Sequence, residues 1–264
     1  MKTSGSSTEP NQEKHNADER THRTTIDEVA AGIYRINTPL RIDAIPGGFN
    51  ISQYLIVDDE PMIFHTGWRK WFPFVSEAIS KVIPLDRIRH IGYSHFEGDE
   101  SGAMNDFLAV APQAVPFASH VSVMTSLNDQ ADRAGRGLAD GETFLTGKKT
   151  WQWIDTLHVP HGWDCRILFD QSTGTLLYGD LFTQPGAETP PVTESEVLTA
   201  SEAMRKPMNY YAHSTRTTKI LERLASLNPT TLACQHGSAY RGDGAALLRE
   251  LAAILEKELR AELA

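Results

Sequence analysis

From residue 94 to residue 102 the chain reads Ser-His-Phe-Glu-Gly-Asp-Glu-Ser-Gly, which sets His95, Glu97 and Asp99 at alternate positions directly after the apolar run 88–93. Side chains two apart on an extended backbone point the same way, so these groups can converge on one point. Gly98 lets the backbone bend between them. An imidazole with two carboxylates is a hard, anionic ligand set for a divalent cation. Three more candidate ligands follow, each closing its own strand-like run: His161 in Val-Pro-His-Gly, Asp180 in Leu-Leu-Tyr-Gly-Asp and His236 in Leu-Ala-Cys-Gln-His-Gly. Taken singly, each is a polar loop residue. Taken together, they are nitrogen and oxygen donors at strand ends, the place where scaffolds carry their chemistry.

Two strand-rich blocks must bring these groups together. In the first, apolar residues alternate over 29–36, and the runs 51–57 and 62–64 flank an Asp-Asp-Glu-Pro turn, which reads as a hairpin. A helix over 71–82, the strand into His95, a short helix over 101–110 and a strand over 115–118 follow, with 135–141 as a loop. The second block has a strand over 151–160, a hairpin of 166–169 with 175–178 turning at Gly174, helices over 194–205 and 215–227, and a strand over 231–234. A closing helix over 244–262 sets Leu247, Leu248, Leu251 and Leu255 on one face. Strands alternating with helices twice over suit a two-sheet α/β sandwich with the ligands on loops at one edge.

A chain of 264 residues is long enough for one large domain with an ample core. Hydrophobic residues make up 40% and charged residues 22%, as in ordinary globular proteins. The net charge of −9 argues against a nucleic-acid or anionic-membrane binder, and no apolar run is long enough to cross a bilayer. Residues 1–24 are polar and lack the apolar centre of a secretory signal, so they read as a disordered tail before a single domain at 25–264. A cytoplasmic location is the expectation. Cys165 and Cys234 lack the close spacing of a thiolate metal site and read as buried, reduced thiols.

Over residues 25–262 these motifs resemble the metallo-β-lactamase superfamily, and within it the diiron domain of flavodiiron and oxygen-binding diiron proteins. Most hydrolases of the superfamily carry His-x-His-x-Asp-His at the first motif, whereas flavodiiron domains carry His-x-Glu-x-Asp; this chain has His95, Glu97 and Asp99 there. The segment from His161 to Asp164 is similar to the family's His-Trp-Pro-Asp, the segment from Asp180 to Phe182 to its Asp-(Ala/Leu)-Phe, and His236-Gly237 to its last ligand motif. The resemblance implies a metallo-β-lactamase-like αββα sandwich of two mixed β-sheets flanked by helices. It implies that His95, Glu97 and His161 hold one metal, Asp99 and His236 hold the other, and Asp180 bridges. Two iron ions are implied, with manganese or zinc as alternatives, and no flavin bound by this chain alone. Full-length flavodiiron proteins carry a flavodoxin or rubredoxin module; none is expected here, so electrons would come from a separate flavin- or rubredoxin-type partner. A homodimer is also implied.

Other residues near the motifs carry further expectations. Glu100 stands where hydrolases of the superfamily place a metal-binding histidine, and could ligate, hydrogen-bond a ligand or face solvent. His65 stands where the superfamily often has an aspartate and is expected to be buried against a ligand loop. Asp164 is a further ligand or hydrogen-bond partner. His158 reads as packed inside its strand or hydrogen-bonded to a ligand, His90, His120 and His213 as surface or core residues, and His15 and His22 as part of the tail. Phe96, Trp163 and Phe182 are expected to roof a small pocket of diatomic size. The expected function is a non-haem diiron protein that binds or reduces dioxygen or nitric oxide, as an oxidoreductase or an oxygen sensor, with no catalytic group beyond the ligands. The alternative is a dinuclear hydrolase of an ester, thioester or phosphodiester. Glu97 and Glu100, in places where hydrolases prefer histidines, weigh against it.

Overall fold

The computed structural model describes residues 24–42, 44–212 and 214–262; the tail up to residue 23 and His213 lie outside them. Two seven-stranded sheets face each other. The first runs in sequence order through β1 (Thr25–Ala30), β2 (Ile33–Leu40), β3 (Phe49–Ile56), β4 (Met62–Phe64), β5 (His90–Gly92), β6 (Val115–Ser119) and β7 (Arg136–Leu138). Its pairs are antiparallel as far as β4 and parallel from there to β7. The second comprises β8 (Thr143–Leu145), β9 (Thr150–Asp155), β10 (Arg166–Asp170), β11 (Thr175–Leu177), β12 (Val192–Thr193), β13 (Thr231–Ala233) and β14 (Ala239–Arg241), in the order β12-β14-β13-β11-β10-β9-β8. It is also mixed: β11 pairs parallel with β13 and antiparallel with β10.

Between the sheets lies an apolar layer to which both contribute, with Tyr54, Phe64 and Phe117 meeting Trp153, Leu168 and Leu177. Strands β3 and β4 are buried almost throughout, as expected of strands covered on both faces. The helices Phe72–Ser80 and Met104–Val110 cover the outer face of the first sheet. The helices Leu198–Met208, Thr217–Ala225 and Gly244–Glu262 cover the second. The protein is thus an αββα sandwich of two mixed sheets flanked by helices.

Several local expectations change. The run 29–36 is split by a turn in which Gly32 has φ +69°, so it forms two paired strands. The helix expected over 101–110 is two pieces, Gly98–Ser101 and Met104–Val110. The segment 135–141 holds β7, an edge strand of only three residues, too short to show a period. Strand β9 stops at Asp155, and His158 is exposed in the following turn with φ +64°, not packed in a strand.

The topology places the ligands. Strands β5, β11 and β13 end at Gly92, Leu177 and Ala233, and His95, Asp180 and His236 each lie three residues farther on. At the other end of β10, Lys149 and Asp170 make a buried ion pair of 2.7 Å, with Ser172 and Thr173 also donating to the carboxylate. Removing the cation alone would strand a buried carboxylate. Lys149→Met is therefore expected to cost about 3–5 kcal/mol in denaturant unfolding while leaving metal stoichiometry unchanged.

Candidate metal centre

Tyr93 and Ser94 carry the backbone out of β5, and the chain bends instead of continuing extended. Glu97 has an extended conformation (φ −134°, ψ 170°) before the helical turn Gly98–Ser101, which carries Asp99 and Glu100 side by side. The convergence of His95, Glu97 and Asp99 comes from this bend and turn. Simple strand alternation does not produce it.

The carboxylate of Asp180 is the pivot. Its Oδ2 lies 3.2 Å from His95 Nε2 and 3.2 Å from His161 Nε2. Its Oδ1 lies 3.1 Å from His236 Nε2. Glu97 joins the first side, with Oε1 3.0 Å from His161 Nε2 and 3.6 Å from His95 Nε2. Asp99 joins the second, with Oδ2 3.4 Å from His236 Nε2. The potential ligand atoms form compact sets: His95 with Glu97 and His161, His95 with Glu100 and Asp180, and Asp99 with Glu100 and His236.

Each imidazole is aimed by what its other nitrogen touches. His236 Nδ1 donates to the Asn50 carbonyl at 2.8 Å, which turns Nε2 toward the carboxylates, and Phe49 stacks on the ring at 4.4 Å. His95 Nδ1 lies 3.0 Å from the Ser94 hydroxyl, which is 3.0 Å from Nε2 of the fully buried His65. Among the described residues His161 Nδ1 has no partner; Tyr210 packs edge-on against its ring instead. The Tyr210 and Thr183 hydroxyls both donate to the Asp180 carbonyl, and Gln235 Nε2 donates to Asp99. Arg35, buried in the first sheet, donates to the Gly237 carbonyl at 2.6 Å and to Asn50 Oδ1, tying down the loop that bears His236.

The remaining expectations meet mixed fates. Asp164 does not join the ligand sets; its Oδ2 accepts from the Phe96 amide and the Ser122 hydroxyl and so holds the first-motif loop. The cavity over the site has a volume of about 510 Å³, far larger than a diatomic molecule. Its apolar wall is Phe49, Met208 and Tyr210, and none of Phe96, Trp163 and Phe182 lines it. Phe182 is buried in the second sheet's core, whereas Phe96 and Trp163 are exposed. Adjacency in sequence misled here, because neighbours of a ligand on a bent loop point away from it. Phe49 and Tyr210 had no sequence signal, since each sits outside the motifs. His90 pairs with Glu60, and His120 is exposed.

The profile of the family described as ODP family beta lactamase matches residues 49–237, a stretch that spans all of these ligands. The chain belongs to this family. Within it, the chain is similar to the rubredoxin-oxygen oxidoreductase of Megalodesulfovibrio gigas, with 26% identity over 75% of this chain and 50% of that protein. Its fold matches the flavodiiron protein of Giardia intestinalis with a TM-score of 0.78 at 18% identity, covering 90% of this chain and 60% of that one. It also matches a fragment of a diflavin flavoprotein from Nostoc sp. PCC 7120 with a TM-score of 0.78 at 16% identity, covering 90% of this chain and 97% of the fragment. The chain thus spans half the length of the curated relative it matches.

In this ODP-family site the charges act on each other strongly. Burial alone would raise the Asp180 carboxyl, but hydrogen bonds from His236 and His95 outweigh it and hold the group well below the usual range. Burial would lower His236, yet its contacts with Asp180 and Asp99 lift it to about 10. Contacts with His161 and then His95 bring half-buried Glu97 down to about 2. Burial pushes Glu100 well up and His65 well down. Both carboxylate oxygens of Glu100 are buried and without a hydrogen-bond partner among the described residues. Lone pairs facing inward with no donor, among carboxylates and imidazoles, fit divalent cations.

The sign for stability follows from His236. In chelator-treated protein its raised pKa stabilises the fold fully below about 6.5, and that contribution is lost as pH rises toward about 10. The thermal midpoint of chelator-treated protein is expected to fall across that window, while apparent metal affinity rises because binding displaces the proton. Asp180→Asn should flatten both trends; melting curves and metal titrations at several pH values check this.

Proposed function

We propose that this ODP-family chain is a cytoplasmic non-haem diiron protein that binds or reduces dioxygen or nitric oxide. The observation that carries the reading is the division of Asp180: one oxygen faces His95 and His161, the other faces His236. That arrangement suits two cations with a shared carboxylate. His95, Glu97 and His161 would hold one ion, Asp99 and His236 the other. Glu97, where hydrolases of the superfamily prefer a histidine, makes the set harder and favours iron or manganese over zinc. When bound, a reduced iron pair supplies electrons to a diatomic ligand.

The chain's own residues set the stage for that chemistry. Asp180, held from behind by Tyr210 and Thr183, fixes the spacing of the two halves. Phe49, Met208 and Tyr210 form the apolar part of the wall. The acidic and imidazole groups lining the cavity are the proposed ligands themselves, so no free general base stands ready. By analogy with the rubredoxin-oxygen oxidoreductase it resembles, the chain would draw electrons from a rubredoxin-type partner; a flavin-type partner is the alternative, and a homodimer is part of the same proposal. A sensor would use the same residues without turnover. One observation favours a second reading: a cavity of about 510 Å³ has room for an ester or phosphodiester, as a dinuclear hydrolase would need.

Iron-loaded protein, reduced without oxygen and then titrated with dioxygen or nitric oxide, decides between them. An absorbance change that saturates near one diatomic per chain, or catalytic consumption with a reduced donor, supports the diiron reading. No response from the iron form, with ester or phosphodiester hydrolysis by the zinc form, overturns it. His161→Ala should weaken metal retention by at least the roughly 10–100-fold that losing a ligand's supporting partner costs, measured by equilibrium dialysis.

A further inference from the structure

Glu100 follows Asp99 directly on the turn Gly98–Ser101 and differs from it in surroundings. Its side chain is 1% exposed, and neither carboxylate oxygen has a hydrogen-bond partner among the described residues. Oε1 lies 3.7 Å from His95 Nε2. Its ligand atoms complete two of the compact sets, one with His95 and Asp180 and one with Asp99 and His236. The backbone forces this inward orientation. The Thr66 amide and hydroxyl both donate to the Glu100 carbonyl, at 2.7 and 3.2 Å, and the Ala103 amide returns to Gly67 O and Thr66 Oγ1. A Cβ at Gly102 would come within 3.1 Å of Gly67 O and 3.2 Å of Arg69 N, so the end of this turn packs closely on the segment after β4.

An unpartnered carboxylate at this depth costs several kcal/mol unless something neutralises it. Protonation removes the charge but leaves a hydroxyl with no acceptor among the described residues. A cation satisfies both oxygens. We propose that Glu100 is a seventh metal ligand, binding the cation held by Asp99 and His236 on the side facing His95. This rests on the dinuclear reading above. It has a consequence for charge: Glu97, Asp99, Glu100 and Asp180 together carry four negative charges, which balance two divalent cations without a hydroxide. Such a site holds its second cation firmly and favours the more oxidised state of an iron pair.

The test uses the full chain, stripped with chelator and titrated with cobalt(II) in a calorimeter. Wild-type protein is expected to take two ions. Glu100→Gln, which keeps shape and removes charge, should take the first with unchanged affinity and the second roughly ten-fold or more weaker, and Glu100→Leu weaker still. Both variants should melt higher than wild type when metal-free and gain less on saturation, because a buried unpaired acid has been removed. If both variants bind two ions as tightly as wild type, Glu100 is no ligand, and this proposal falls while the dinuclear site stands. If wild type binds fewer than two, the dinuclear reading falls, and this one with it.

Discussion

Mutual repulsion among acids is the constraint around which this protein is built. Glu97, Asp99, Glu100 and Asp180 meet at one end of the seam between two sheets, interleaved with three imidazoles. Two like charges about 4 Å apart repel by roughly 4 kcal/mol at the effective dielectric of a protein surface. Imidazolium can balance part of this, as the raised His236 shows, but cations do it more fully. A fold that holds these groups together needs rigid supports, and the supports are visible. Three ligands leave strands of three residues each, at equal distance from the strand ends. The strands are buried in continuous sheets and cannot slide without moving the whole core.

Strain collects at the same pole. His65 and Phe182 both adopt positive φ, at +65° and +54°, a conformation that costs a non-glycine residue of order 1–3 kcal/mol. His65 is locked by the hydrogen bond its amide donates to the Gly92 carbonyl and by Ser94, and Phe182 by its complete burial beside Tyr178. His65 follows β4 and braces the loop that bears His95 through Ser94, and Phe182 lies two residues beyond the ligand Asp180. The opposite pole, with Lys149 and Asp170 paired and capped by hydroxyls, supplies stability that asks nothing of the metal site.

Much of this was legible in the sequence, for physical reasons. Buried strands that end in a polar ligand give an abrupt change from apolar to polar residues, and that change marked His95, Asp180 and His236. Buried hairpins such as β3–β4 gave themselves away by their acidic turn. What was not legible is equally instructive. The edge strands β7, β8 and β12, and β14 beside β12, are two or three residues long and too short for any period. Phe49 and Tyr210 reach the cavity from elements remote in sequence. The direction of Phe96, Trp163 and Phe182 depended on a bend and a positive φ that composition does not reveal. Glu100 could be named as a candidate, but its burial and its missing donors belong to the fold alone.

The central claim is that Asp180 lies between two cations. Anomalous diffraction at the iron edge from crystals of iron-loaded protein tests it directly. The account predicts two peaks, one on each side of the Asp180 carboxylate and about 3.5–4 Å apart, as in other two-metal sites. A single peak, or peaks away from Asp180, would contradict it.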